Sequence, residues 1–187
     1  MRVAVTGTPG TGKTTATRLL EDRIQDGAEE RVPHESGALD GFEVVHLNEV
    51  LESEGLYTDV DADRDSKVAD LEALEAHLEG RDDVIIESHL AHHLPVDRVA
   101  VLRCAPESLE SRLLERGETE AKARENVESE ALDVILAEAV DRHGLESVYE
   151  IDTTDLEPAA VATALESVLS GEREPSAGTV DFVGYLA

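Results

Sequence analysis

The chain has 187 residues, enough to bury one substantial core, and with 41% hydrophobic but only 3% aromatic residues that core must be built from Val, Leu, Ile and Ala. Its 43 acidic against 16 basic residues leave a formal net charge of −27, which excludes non-specific nucleic-acid binding, since that mode needs a basic footprint to neutralise phosphates. No apolar run approaches the roughly 18 residues of a membrane span, and the single Cys104 fits a reducing cytoplasm without an internal disulfide.

The carboxylates are interspersed with periodic apolar residues and not massed in blocks, so the acidity does not read as disorder. Only Lys13, Lys67 and Lys122 are lysines. An acidic, Lys-poor surface on a patterned core suggests an extreme halophile, because at 1 M salt the Debye length falls to about 3 Å and screens the self-repulsion. An acidic protein of an ordinary-salt cell is the alternative.

The chain opens on RVAVT (2–6), a short strand rich in β-branched residues, so no signal peptide is expected. GTPGTGKTT follows, then ATRLLEDRI with Leu19, Leu20 and Ile24 at helical spacing. Residues 26–41 are polar and broken by Gly and Pro, and read as an exposed loop or insertion. FEVVHL (42–47) is a strand. NEVLESEG is a short helix with Asn48 as N-cap and Gly55 as stop.

An acidic connection, YTDVDADRDSKVAD, leads to a helix over about 70–79 and a buried strand, DVIIES (83–88). RVAVLRC (98–104) is another strand. A helix starts near Pro106, at the first-turn position that Pro tolerates, and runs to about Arg116. After Gly117 a long helical pattern covers about 119–142, with Val127, Leu132, Ile135, Leu136 and Val140 as its apolar face. SVYEID (147–152) is the last strand and PAAVATALESVLS the last helix. The tail, residues 171–187, reads as an arm that either docks on the body or meets a partner. Strands alternating with helices predict an α/β domain with a mainly parallel five-stranded sheet flanked by helices, the P-loop NTPase arrangement once the next motif is added.

That motif is GTPGTGKT (7–14), which fits G-x-x-x-x-G-K-[ST] at every fixed position, between a strand and a helix. Its glycines allow a tight turn whose N–H groups converge on phosphate oxygens, and the helix N-terminus adds its dipole. Lys13 is placed for the β- and γ-phosphates of ATP and the Thr14 hydroxyl for Mg²⁺. Phosphoryl transfer further needs an acid for the metal, a cation for the moving phosphoryl group and a seat for the acceptor.

Glu87, just after the apolar run Val84-Ile85-Ile86, lies where a Walker-B-type acid would reach Mg²⁺ directly or through water; the alternative is a strand-end carboxylate facing solvent. His89, two residues on, would share its side and orient water or an acceptor. The histidines of HLAHH match no strong zinc pattern, so no zinc is expected, and His92 and His93 read as solvated or packing residues. In ERGETEAKARE (115–125), Arg116, Lys122 and Arg124 surround a glycine break, as a lid closing over phosphates requires; an ordinary helix connection is the alternative.

With these residues in view, the chain resembles the adenylate kinase isoenzyme 6 family, a branch of the P-loop nucleoside-monophosphate kinases that includes archaeal adenylate kinases and eukaryotic nuclear ATPases. The resemblance rests on GTPGTGKTT, GLY (55–57) before DVDADRD, the strand-end acid-x-His, VLR (101–103), ERG with a downstream Lys, and ENVESE (125–130), and covers most of residues 1–170. It implies a kinase core over 1–170, with a monophosphate-binding segment at about 45–68, a lid at about 115–125, an insertion at 26–41 and a tail at 171–187. It implies ATP contacts at Gly10, Gly12, Lys13, Thr14, Thr15 and Arg116, and the reaction ATP + AMP giving two ADP, with ATPase activity also described for the group. It further implies a basic platform protein of the small ribosomal subunit as partner, and a role in rRNA maturation.

The chain departs from the family pattern at three places. Glu87 stands where relatives have Asp, Glu118 follows Gly117 where they have Tyr, and Glu52 stands where a basic residue is common. If that missing cation grips the AMP phosphate, Arg64 or Lys67 must replace it.

Overall fold

A computed structural model describes residues 1–29, 39–61 and 66–186. Five parallel strands form the central sheet: β1 (Arg2–Thr6), β2 (Glu43–His46), β5 (Val84–Glu87), β6 (Arg98–Arg103) and β7 (Val148–Asp152), in the order β2-β5-β1-β6-β7. The helices are α1 (Lys13–Glu29), α2 (Leu47–Ser53), α3 (Leu71–His77), α4 (Pro106–Glu115), α5 (Glu120–Ala131), α6 (Val134–His143) and α7 (Pro158–Ser170). This is the expected P-loop architecture.

The strands are apolar on both faces because both faces are covered. Side chains alternate along a strand, so Val3 and Val5 of β1 join Ile85 and Leu102 on one face, packing under Ala16 and Leu20 of α1 and Val161, Leu165 and Val168 of α7. Ala4 turns the other way with Val84, Ile86, Val99 and Val101, against Leu47 and Leu51 of α2, Leu74 of α3 and Leu136 and Ala139 of α6. A third cluster joins Cys104, Leu109 and Leu113 to Ala123 and Val127, holding α5 on α4.

Four sequence expectations need correction. Helix α1 continues to Glu29, past the expected start of the loop, since nothing in DGAE breaks the hydrogen-bond ladder and Gly27 alone costs only about 1 kcal/mol. Leu39, placed in that loop, is buried in the core with a turn from Leu39 C=O to Phe42 N–H closing under it; residues 30–38 of the expected insertion lie outside the described residues. The acidic connection contains an antiparallel pair, β3 (Tyr57–Asp61) and β4 (Ser66–Ala69), whose ladder is made by backbone groups and is hidden in the sequence by acidic side chains.

The long helix over 119–142 is two helices, broken at Asp133, which is left-handed with φ 55°. Asp tolerates that conformation better than most residues. The break rotates Leu132, expected on the apolar face, out to 58% exposure.

The break is fixed by Arg103 at the end of β6, one of the largest fully buried side chains. Its guanidinium reaches Glu130 Oε1 at 2.7 Å through Nε, the Glu130 carbonyl at 3.1 Å, and the carboxylates of Asp133 and Glu150. Glu150 on β7 in turn accepts from Thr179 N–H at 2.7 Å and Val180 N–H at 3.1 Å, which docks the C-terminal segment, and the Phe182 ring lies 5.4 Å under the guanidinium. Arg103→Ala leaves Glu130 and Glu150 buried without their cation. The expected loss is about 3–5 kcal/mol of stability, read as a lowered denaturation midpoint in molar KCl.

Candidate active site

The strands all end on one edge of the sheet, and β1 lies between β5 and β6, so the crevice beyond the carboxyl ends of β1 and β5 is where an α/β sheet holds a ligand. The 7–14 loop turns there from β1 into α1. Gly7 has φ 134°, and a Cβ on it would stand 2.3 Å from the Leu102 carbonyl oxygen, so the loop passes too close to β6 for any side chain. Gly12, at φ 93°, needs glycine for its backbone alone: its missing Cβ would face open space.

The loop is braced from three sides. Thr8 Oγ donates to Glu130, the acid that also holds Arg103. Thr153 Oγ, just after β7, makes hydrogen bonds of 3.0 Å to Thr11 C=O and 2.8 Å to Arg103 C=O. The Lys13 ammonium folds back onto the loop, donating to Gly7 C=O at 2.7 Å and Thr8 C=O at 3.0 Å. Burial pushes the Lys13 pKa down to about 8, against the pull of Glu87 and Glu130, so at neutral pH the ammonium persists.

Glu87 closes β5 and is buried. Its Oε1 accepts from Thr14 Oγ at 3.2 Å and its Oε2 meets His46 Nδ1 at 2.8 Å. It therefore faces the loop and not solvent. The Thr14–Glu87 oxygen pair fits Mg²⁺: both are hard donors, and their 3.2 Å separation is close to the edge of about 2.9 Å that octahedral bonds of 2.0–2.1 Å require.

His46 is the residue that sequence reasoning missed. It ends β2 directly beside Glu87 in the parallel register, and its Nε2 lies 3.4 Å from Glu21 on α1. The hydrogen bond to Glu87, partly offset by burial, raises its pKa above the ordinary 6.5. The only signal in the sequence was a polar residue next to last in FEVVHL; the pairing of two strand ends distant in sequence appears only with the topology.

His89 follows β5 and lines the same cavity as Lys13 and Glu87. Burial, and then Lys13, push its pKa down to about 4, so it is a neutral imidazole at pH 7. Asn48 does not cap α2, whose N-cap is His46; it accepts a 3.2 Å hydrogen bond from Ser88 Oγ and lines the cavity beside His89. Thr15 lies one residue further along α1, exposed and on the cavity wall.

The cavity is about 1660 Å³ and runs from the loop to the α4–α5 connection. Arg116, Gly117, Glu118 and Lys122 line that side, while Arg124 does not and pairs with Glu128 at 3.3 Å in solvent. Lys122 reaches Glu118 at 3.2 Å, so the departure at Glu118 gives this lysine a partner. At one end stand Thr153, Leu156, Pro158 and Val161; at the other Asn48, His89, His92, His93 and Glu138. Arg64 lies outside the described residues, as does the side chain of Lys67, and Glu52 is exposed on α2.

A family described as an AAA domain matches residues 3–133. Proteins named "Putative adenylate kinase" align over the whole chain: that of Natronomonas pharaonis is 59% identical over 186 residues and that of Halobacterium salinarum 56% over 187, each covering 100% of both chains. The Methanocaldococcus jannaschii protein of the same name is 35% identical, covering 97% of this chain and 93% of its own. The chain belongs to this archaeal P-loop family. Solved structures agree on the fold. The Bacillus subtilis YorR protein superposes with TM-score 0.56 at 13% identity, covering 92% of this chain and 97% of its own. A gluconokinase from Sinorhizobium meliloti gives 0.52 at 16%, covering 91% and 92%.

The His46–Glu87 pair has a pH signature. A raised folded-state pKa stabilises the fold fully below the unfolded value near 6.5, and the contribution fades as pH rises through the raised value. In Glu87→Gln the His46 ring resonances, followed by NMR in nucleotide- and metal-free protein, are expected to titrate at lower pH than in the parent.

Proposed function

We propose that the protein transfers the γ-phosphoryl group of Mg-ATP to a nucleoside monophosphate, with AMP as acceptor, giving two ADP. The observation that carries the proposal is the cavity. Lys13, Thr14, Glu87, His89 and Arg116 all line it, and at about 1660 Å³ it exceeds the roughly 300–1,000 Å³ usual for a single small ligand, leaving room for donor and acceptor together. The names of the archaeal relatives support the same reaction.

In this reading the N–H groups of the loop from Gly10 to Thr15 hold the β-phosphate, and Lys13 turns its remaining proton toward the β–γ bridge. The apolar end at Leu156, Pro158 and Val161 seats the donor base. Thr14 Oγ and the Glu87 carboxylate would hold Mg²⁺, which would supply charge neutralisation for the transferring phosphoryl group. His46 Nδ1, 2.8 Å from Glu87 Oε2, keeps that carboxylate aimed. An oxygen of the acceptor phosphate forms the new bond to the γ-phosphorus as the bond to the bridging oxygen breaks and ADP leaves.

His89, neutral and unable to compete with Lys13 for the phosphates, orients the acceptor or a water from the Asn48 end. The 115–125 segment acts as the lid, with Arg116 meeting the transferring group. The haloarchaeal relatives support the reading of the acidic surface as an adaptation to high salt. No helix among the described residues is long and apolar enough to cross a membrane, which accords with action in the cytoplasm.

The test is acceptor dependence. In molar KCl, ADP should form from ATP many times faster with AMP than without; equal rates would replace the kinase with an ATP-hydrolysing protein that has no working monophosphate site. Lys13→Ala is expected to abolish turnover. Arg116→Ala should lower kcat on the order of 10³-fold, the scale of an arginine that stabilises a phosphoryl transition state, and full activity in that variant would remove the lid assignment.

A further inference from the structure

Leu90 to Leu94 leave the sheet edge through a single 3-10 turn, Ala91–His93, that turns two consecutive histidines toward α6. There the Nε2 atoms of His92 and His93 lie 3.0 Å and 3.9 Å from one oxygen of Glu138. The candidate ligand atoms of all three residues fall within 4.8 Å of one another. Glu138 is 45 residues downstream, so HLAHH alone, with His89 the third imidazole and no carboxylate, offered no zinc pattern.

The hydrogen bonds around His92 say more than the spacing. The ring is 1% exposed, and its Nδ1 lies 3.0 Å from Thr6 Oγ. Thr6 Oγ lies 3.3 Å from the His89 carbonyl and 3.0 Å from His92 Nδ1, so it fixes the ring whichever of the two receives its proton. With Nδ1 donating to Thr6 Oγ, the tautomer that a bound cation selects, His92 Nε2 turns its lone pair toward the Glu138 carboxylate 3.0 Å away. The three side chains converge as a ligand set, with Thr6 Oγ on the distal ring nitrogen of His92, where metal-bound histidines carry the outer hydrogen bond that orients them. The ring's position is further set by His143, whose Nε2 contacts the His92 carbonyl at 2.7 Å.

We propose that His92 Nε2, His93 Nε2 and the Glu138 carboxylate bind one divalent cation of the Zn²⁺ class, leaving a fourth position open toward the nucleotide cavity. Two imidazoles and one carboxylate favour a borderline transition cation over Mg²⁺, which takes oxygen ligands. Tetrahedral bonds of about 2.0–2.1 Å put ligand atoms about 3.3 Å apart, so the observed separations need only a small inward turn of His93 and Glu138. Those two side chains, 28% and 48% exposed, are the ones free to make it. All three residues line the cavity that also contains Lys13 and His89, so the fourth ligand is a water or an acceptor oxygen from that space. This reverses the sequence-based expectation that no zinc is bound and that His92 and His93 have no part in chemistry. The site is separate from the oxygen pair of Thr14 and Glu87, and it does not depend on which acceptor the enzyme uses.

The experiment is equilibrium dialysis of the full chain against Zn²⁺ in molar KCl with Mg²⁺ in large excess, and the visible absorption of the Co²⁺ form as a readout of coordination. One Zn²⁺ per chain, not displaced by Mg²⁺, and the intense absorption of a low-coordinate Co²⁺ site are expected. His93→Ala and Glu138→Gln, both on accessible side chains, should weaken binding by at least about 10-fold, and Thr6→Val, which keeps the shape but frees Nδ1, by about 10–100-fold. Glu87→Gln should leave Zn²⁺ binding unchanged. Absence of stoichiometric Zn²⁺, binding indifferent to His93→Ala and Glu138→Gln, or binding lost in Glu87→Gln would each overturn the proposal.

Discussion

Arg103 is the charge around which the acidic chain organises its interior. A guanidinium at the end of a central strand, shut off from water, would be ruinous alone; with Glu130, Glu150 and Asp133 as partners it becomes a junction of four otherwise separate pieces. It sets the break between α5 and α6, holds β7 to β6 through side chains as well as the ladder, and draws the C-terminal segment down by way of Glu150. Its planar fork suits this work, since five donors in fixed directions can serve several acceptors at once where a lysine could not.

The same junction reaches the phosphate loop. Glu130 accepts from Arg103, from Cys104 N–H at 3.1 Å and from Thr8, so one carboxylate belongs both to the structural network and to the nucleotide site. A second such link runs through Thr153, which bridges the loop after β7 to Thr11 and to the carbonyl of Arg103 itself. The phosphate loop is thus pinned to the far half of the chain at two points, and the position of its N–H groups inherits the rigidity of β6 and β7. Catalysis by electrostatic positioning depends on that kind of support.

The sequence made the architecture legible because its strands are short, apolar and separated by amphipathic helices, and because the loop at 7–14 requires a strand before it and a helix after. Lys13, Thr14, Glu87 and His89 were legible as candidates from their places relative to that loop, and they line one cavity. What was not readable depended on pairing between distant elements. His46 gains meaning only when β2 lies beside β5, Glu138 only when α6 crosses the 3-10 turn, and Arg103 only when its three acids converge from 27 to 47 residues away. The hairpin of β3 and β4 and the end of α1 escaped for a different reason: on a surface so rich in Asp and Glu, polar residues no longer mark loops.

The Lys13 ammonium, already bonded to the Gly7 and Thr8 carbonyls, gives the loop a clasp of its own. Successive amides that point inward to form a nest must send carbonyls elsewhere, and here the two most awkward ones find a cation from the same motif. The loop is therefore shaped before any nucleotide arrives, and little chain entropy is lost when phosphate enters. A prefolded concavity is an advantage in any salt: the incoming triphosphate has to displace solvent and ions, but it does not also have to fold its own receptor.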